Sequence, residues 1–426
     1  MTQRLTIAIA FTLALLLLPG GIVRAEDNAL KFKLKPGASG KLCLNCHNDM
    51  QETVKKPFVH TPLKAGECIG CHSPHASSHG KLLAAETGSI CRLCHSSVVP
   101  ADAKSVHKVV GEGSCMKCHD PHAAANKSNL VKGGNDLCFS CHKEMGDAVA
   151  KARFKHPPVA KGCLTCHDPH ASTKGGFLLK SDVPGLCLGC HNATKPLFIK
   201  QHMNYPVAGS RCTSCHDPHG SDRPSILYNT VHKPVANRMC NQCHEEAGSA
   251  NPLKTKRTGF ELCKGCHNDM VNTAMGKNRI HWPLLAGRGC LACHNPHASR
   301  QKALIKGDLL TLCGSCHKDT IQRQEKSVTK HKPIMEGNCI ACHDPHGSDN
   351  LFLVNNASTI ELCGKCHDWQ KHSTHPIGDK VKDPRNKNQT LQCLSCHRSH
   401  GTDYKHFIPF PTTSDLCVQC HEQFKR

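Results

Sequence analysis

The 426-residue chain carries 32 cysteines and 34 histidines but only 12 Phe, 3 Tyr and 2 Trp. With 38% apolar and 4% aromatic residues it cannot build a side-chain core of this size, so either it is disordered or another group supplies the buried apolar surface. Its formal charge of +21 suits a nucleic-acid binder, a class that the motifs below exclude.

In chain order, the first element is a leader. Arg4 precedes an apolar run, Leu5 to Leu18, that is too short and wrongly flanked for a spanning helix. Pro19-Gly20-Gly21 ends it, and Val23-Arg24-Ala25 offers a cleavage site. The expectation is a signal peptide over 1–25 and a mature chain starting near Glu26. The product is then exported: periplasmic, outer-membrane-associated or extracellular. The first cysteine, Cys43, lies too far along for a lipid anchor, and no transmembrane helix is expected in the mature chain.

From Cys43 onward one motif recurs. Every cysteine belongs to a Cys-x-x-Cys followed at once by His. The first nine motifs are Cys43/Cys46/His47, Cys68/Cys71/His72, Cys91/Cys94/His95, Cys115/Cys118/His119, Cys138/Cys141/His142, Cys163/Cys166/His167, Cys187/Cys190/His191, Cys212/Cys215/His216 and Cys240/Cys243/His244. Seven more follow: Cys263/Cys266/His267, Cys290/Cys293/His294, Cys313/Cys316/His317, Cys339/Cys342/His343, Cys363/Cys366/His367, Cys393/Cys396/His397 and Cys417/Cys420/His421. On one helical turn, residues i, i+3 and i+4 share a face. Two thiols can then add to the two vinyl groups of one haem while the imidazole reaches its iron. This is the pattern of c-type haem attachment. Zinc ribbons pair two Cys-x-x-Cys on one ion and need no following histidine, and disulfides would not demand it either. Sixteen covalent haems c are therefore expected. First cysteines lie 23 to 30 residues apart, too close for each segment to own a core. The haems must be the core of an elongated repeat array, mostly irregular, with short α-helices and little or no β-sheet.

The motifs fall into two classes. The first class has an apolar residue just before the first cysteine: Leu42, Ile90, Leu137, Leu186, Met239, Leu262, Leu312, Leu362 and Leu416. The second carries another histidine three residues past the first: His75, His122, His170, His219, His297, His346 and His400, usually after Asp-Pro. Read this way, first and second classes alternate in a unit near 48 residues. The alternation slips where Cys240 and Cys263 would both be first class. The polar stretch Glu245–Gly259 there suggests a boundary between a nine-haem array, 26–247, and a seven-haem array, 248–426.

Proline disfavours helix at the residue before it, so the haem-binding turn ends soon after the motif histidine. The histidine beyond it is too close to reach the far side of the same iron, and should reach a neighbouring haem. Further histidines sit midway between motifs, often before proline: His60, His107, His156, His202, His232, His281 and His331, with His375 and His406 in the late part. His79 stands apart, and His372 competes with His375. One distal imidazole per haem gives bis-His iron throughout. The methionines beyond Met1 keep no regular position. The segment from His244 to Cys263 holds no histidine, so its flanking haems should borrow His232 and His281. The polar stretch His372–Gln392 reads as a solvated loop, with partner docking as the alternative.

The paired motif, its His-x-Pro linker and its Cys-His-Asp-Pro-His ending resemble the doubled Cys-x-x-Cys-His family of multihaem cytochromes c. The resemblance covers essentially all of the mature chain. It implies an electron-transfer protein rather than an enzyme, exchanging electrons with other redox proteins in the periplasm or across the envelope. Some relatives, the decahaem conduits of metal-respiring bacteria, thread an outer-membrane porin and hand electrons to a partner cytochrome. This chain departs in having sixteen motifs rather than ten. A reductase with one open haem and a filament-forming cytochrome are the alternatives. Two propionates per haem would outweigh the formal positive charge, which removes the case for nucleic acid.

Overall fold

A computed structural model describes residues 38–371 and 375–425. The expected leader, 1–25, and His372 lie outside them. The described chain forms two compact units. One comprises the chain through Val99 together with His107–Leu137, and the other Pro100–Val106 together with the chain from Cys138 onward. The boundary expected at 247/248 falls inside the second.

The two motif classes fold differently. First-class cysteines sit in short helices such as Thr87–Cys94, Val183–Leu188, Gly259–Lys264, Leu309–Gly314 and Thr359–Gly364. Several are capped: Asp182 accepts from the Gly185 amide, Asp308 from Thr311 and Thr412 from Asp415. Such caps contribute about 1 kcal/mol each and satisfy amides a short helix cannot pair internally. Second-class cysteines open a tight turn, as in Cys68–Gly70, Cys115–Lys117, Cys163–Thr165 and Cys339–Ala341. The chain then goes out and comes back. Asp120 N donates to Asn129 O at 2.8 Å, and Val131 N to Cys118 O at 3.0 Å.

Cys240–Gln242 is also a tight turn of this second kind. Glu245 N donates to Lys254 O and Lys256 N to Cys243 O, both at 2.9 Å. This corrects the class assigned from Met239. What decides the class is the return after the histidine, not the residue before the first cysteine. Two second-class motifs, Cys212 and Cys240, are thus consecutive, and the slip lies between them rather than after His244.

Sheet is confined to tiny antiparallel pairs, each joining a linker to the return of a later motif. Phe58–Val59 pairs with Ala123–Ala124, Ser105–Val106 with Ala171–Ser172, Phe154–Lys155 with Gly220–Ser221, Thr230–Val231 with Ala298–Ser299, and Arg279–Ile280 with Gly347–Ser348. The stretch after His375, read as a solvated loop, contains a hairpin instead, Gly378–Asp383 against Asn386–Leu391. Asp383 and Arg385 brace its turn with two bonds of 2.9 and 2.6 Å.

The polypeptide has almost no apolar core of its own. Its most buried apolar residues include the alanines of the strand pairs, with Ala123 and Ala298 at 0% exposure. Large side chains such as Phe177, at 81%, and Phe352, at 83%, stand outside. Neighbouring motifs approach through glycine: a Cβ on Gly88 would lie 2.8 Å from Gly113 Cα, and one on Gly40 2.6 Å from Gly66 Cα. Among the described residues no helix is long and apolar enough to cross a membrane.

Candidate functional site

Each motif presents its donors through one local bond, from the histidine amide to the first cysteine's carbonyl. His47 N donates to Cys43 O at 2.9 Å and His216 N to Cys212 O at 3.0 Å.

The polypeptide alone buries none of the 32 cysteines fully. That differs from thiols lining a core, and the difference follows motif class. Cys46, Cys94, Cys141, Cys190, Cys266, Cys316 and Cys366, the second cysteines of first-class motifs, are exposed, as is Cys417 in the last motif. Each of those second cysteines sits at or just past the end of its short helix, where little chain covers it. Only a neighbouring serine reaches some of them: Ser140 Oγ donates to Cys141 Sγ at 3.9 Å, and Ser315 Oγ to Cys316 Sγ at 3.8 Å. Their second-class counterparts are half-buried, because the return crosses beside them. Ala84 N donates to Cys71 O at 2.9 Å and Lys306 N to Cys293 O at 3.0 Å.

Second-class motif histidines are oriented by the return. Nδ1 of His72 bonds Lys81 O at 2.9 Å. His119 to Ser128, His167 to Phe177, His216 to Ser225, His244 to Leu253, His294 to Ala303 and His343 to Phe352 all measure 2.8 Å. His397 bonds His406 O at 2.7 Å. Lys81, Ser128, Phe177, Ser225, Ala303, Phe352 and His406 hold φ from 53° to 60°. That left-handed turn costs about 1 kcal/mol in a residue with a Cβ. Linker histidines are oriented alike. Nδ1 of His60 and His232 bonds the Pro121 and Pro296 carbonyls at 2.9 Å, and that of His156 and His281 bonds Pro218 and Pro345 at 2.8 Å. A carbonyl only accepts, so Nδ1 carries the proton and Nε2 offers its lone pair.

The imidazoles then meet in pairs. Linker histidines face first-class motif histidines: His60 and His95, His156 and His191, and His281 and His317 at 6.1 Å between ring centres, His232 and His267 at 6.0 Å, His331 and His367 and His375 and His421 at 6.2 Å. Return histidines face second-class motif histidines: His72 and His122, His244 and His297, and His343 and His400 at 6.0 Å, His294 and His346 at 6.1 Å, His167 and His219 at 6.2 Å. At the slip, His202 faces His216 at 6.3 Å. The uniformity is chemical. A metal–nitrogen bond of about 2 Å on each side, plus about 1 Å from each nitrogen to its ring centre, gives about 6 Å for two imidazoles on one ion. The rings are near parallel in most pairs, at 14° to 21°, and steep in His202/His216, at 62°, and His375/His421, at 76°.

Burial lowers His122, His216, His219, His297, His331, His346 and His400 below their ordinary value of 6.5. They therefore stay neutral, the form that ligates.

Within each unit many consecutive motifs lie side by side. Burial, and then the Cys115 thiol beside it, pushes the Cys91 thiol up to about 11. Cys187 beside Cys212 and Cys263 beside Cys290 behave alike. Cys43 neighbours Cys68, and Cys313 and Cys363 are raised chiefly by hydrogen bonds with Cys339 and Cys393. At alternate junctions second cysteines are neighbours: Cys71 and Cys94, Cys166 and Cys190, Cys243 and Cys266, Cys293 and Cys316, Cys342 and Cys366, Cys396 and Cys420. Cys215 neighbours Cys240 across the slip.

His107 stands just before Lys108–Gly111 as His60 stands before Thr61–Lys64, and His142 precedes Lys143–Lys151. The His170 amide donates to Asp168, as that of His122 does to Asp120. His281, expected to serve the slip, instead faces His317, and His297 takes its place at His244. His406 is exposed on its left-handed turn, where its carbonyl rather than its ring serves His397. The motif spacing by itself does not show the two registers, forward about 35 residues from a linker and back about 50 from a return. The alternating strand-forming residues before each linker histidine are the signal that could have shown them.

Eight segments match the family described as the doubled CXXCH motif: residues 60–99, 107–147, 156–196, 204–231, 232–272, 281–322, 331–372 and 384–426. Together they cover most of the chain. Most begin at a linker histidine, so the unit runs linker, second class, first class. The segment 204–231 holds the Cys212 motif alone, and the Cys43 motif lies outside every match. No curated protein matches the chain.

Proposed function

The chain belongs to the doubled CXXCH motif family of multihaem cytochromes c, and on that premise we propose that it carries electrons along a row of up to sixteen covalent haems c. The haems supply one-electron Fe(III)/Fe(II) couples. The chain's own residues do the rest. Each Cys pair would fix a porphyrin by two thioether bonds. The motif histidine would ligate its iron, together with the linker or return histidine where one faces it. The Nδ1–carbonyl bonds hold ring orientation and strengthen the ligating nitrogen. Two imidazoles keep potentials lower than a His/Met pair would and leave no place for substrate at a closed haem.

The observation that carries this reading is the set of facing imidazoles at 6.0 to 6.3 Å. The order of neighbouring motifs supports a path that follows the sequence. The surroundings proposed are the periplasm or cell envelope, with other redox proteins, or a porin-bound partner, as donor and acceptor. Intact mass of the holoprotein, with electron paramagnetic resonance of the oxidised form, tests the reading. The expected outcome is sixteen haem additions and predominantly low-spin ferric signals. A mass several haems short in matured protein, or mainly high-spin iron, refutes it.

A further inference from the structure

The Cys43–His47 motif stands outside the register that serves five other first-class motifs. His60, His156 and His232 lie 35 residues before the motif histidines they face, and His281 and His331 lie 36 before theirs. The same step back from His47 falls at Thr12, inside the expected leader. No histidine precedes His47 anywhere in the sequence, and after Met1 no methionine does.

The structure shows the same gap from the other side. The strand that delivers each linker histidine covers the residues after a return histidine and buries them. Ala123 and Ala298 are 0% exposed, Ser221 5%, and Ala171 and Ser348 6%. In the first return the corresponding Ala76 is exposed. Among the described residues, Ala76 and Ser77 pair with no strand. Part of that return is kept: Ser77 Oγ donates to Leu83 O as Ser172 does to Leu179 and Ser299 to Ile305. Among the described residues, no strand and no imidazole delivered by one cover it.

His75 does not fill the place. Other return histidines reach back two motifs to a second-class haem site, and none precedes Cys68. Among the described residues the His75 ring is exposed and faces no motif imidazole, and the His47 ring faces none either. Ser73 stands where Asp120, Asp168, Asp217 and Asp344 accept the amide of the return histidine, so this turn lacks that brace. His79 is held by Glu86, with 3.2 Å between Nδ1 and Oε1.

We propose that the haem at Cys43, Cys46 and His47 has His47 as its single imidazole and keeps its opposite face open to small neutral donors, unlike the haems closed by facing pairs. The proposal rests on the bis-His reading of those pairs. Carbon monoxide is the probe: its carbon lone pair bonds ferrous iron in place of weakly held water, and no electron is transferred. The experiment titrates the dithionite-reduced full-length holoprotein. The expected result is carbon monoxide uptake that falls by one per chain in Cys43→Ala/Cys46→Ala and is unchanged in His75→Ala. Retention in the cysteine variant overturns the assignment. No binding in the wild type overturns the proposal while leaving the bis-His reading intact, and a site gained in His75→Ala would then name His75 as the ligand. Binding at many haems refutes the bis-His reading itself. Should the cysteine variant fail to mature, one high-spin ferric haem per wild-type chain in paramagnetic resonance supports the proposal and none overturns it.

Discussion

Replacing His122 with alanine separates ligation from architecture. The His122 ring centre lies 6.0 Å from that of His72, its partner two motifs back. Its backbone works elsewhere: the carbonyl accepts from His60 N at 2.8 Å, and the amide donates to Asp120 at 2.9 Å. Alanine keeps both bonds and the Ala123–Ala124 pairing, so the strand that carries His60 to His95 stays in place. On the proposed bis-His reading one haem then loses its sixth ligand. The Cys68–His72 haem should turn high-spin, with the loss of one haem's share of the low-spin intensity, and its potential should rise as an imidazole is lost. Carbon monoxide uptake by the reduced protein should rise by one per chain, and His122→Met should restore a six-coordinate haem at higher potential. In a Cys68→Ala/Cys71→Ala background, His122→Ala should add nothing. If the variant loses the Cys115–His119 haem, or leaves the spectrum unchanged, return histidines do not reach back two motifs and the two-register scheme is wrong.

Arg300 grips Asp217 with two bonds of 2.6 Å and reaches His219 Nδ1 at 3.2 Å. Arg300→Gln should destabilise the slip by about 3 kcal/mol, because the Asp217 carboxylate is left buried and unpaired, and should lower the potential of the Cys163–His167 haem; denaturant unfolding and potentiometry read the two effects. Hydrogen bonds from Arg385 hold Asp383 down to about 2, from 3.8. A depressed carboxylate stabilises above its unfolded value and loses that contribution as pH falls through the folded one. The hairpin should therefore weaken by about 1 to 2 kcal/mol between pH 4 and pH 2, seen as faster amide exchange over 378–391, and Asp383→Asn should remove the dependence. Gly88→Ala puts a Cβ 2.8 Å from the Gly113 backbone. It should cost about 1 to 3 kcal/mol and spread the Cys91 and Cys115 haems apart, which their magnetic coupling would report.

Cofactor, attachment residues and the poverty of apolar core were legible because they are local. A Cys-x-x-Cys-His fits within one turn, and its chemistry does not depend on what lies elsewhere. How far the chain covers each thiol was not legible, since Cys141 and Cys118 share the motif and differ only in whether a return crosses beside them. The pairing of distal histidines was only half legible. Proline after Asp120 implied that His122 leaves its own haem, but the direction it takes is set by a strand pair 66 residues apart, Phe58 with Ala124. Met239 misled because an apolar residue before a cysteine suits a helix face, while the return from Glu245 to Lys256 decides the fold. His406 counted as a ligand by number alone. Its backbone conformation, φ 60°, gives the carbonyl the role.

The two registers explain why such short repeats hold together. A unit near 48 residues with a few buried alanines cannot offset its own conformational entropy. Each closed haem would join a covalent anchor at one point to an imidazole tens of residues away, so successive joins overlap rather than sit side by side. His232, for example, passes the Cys240 motif within its own unit to face His267, while His297 comes back from the next unit to face His244. The Thr230–Val231 and Ala298–Ser299 strands lock these two crossings by their backbones. Opening the strand pair would loosen both ligands at once, so backbone opening of neighbouring closures should be cooperative, whereas loss of one ring alone leaves the pair in place. At the slip the scheme fails in one respect, since the Cys240 return carries no histidine. His202, one short helix upstream, then serves His216 in a steep orientation, and the Arg300–Asp217 bridge supplies the tie that a return histidine would otherwise make.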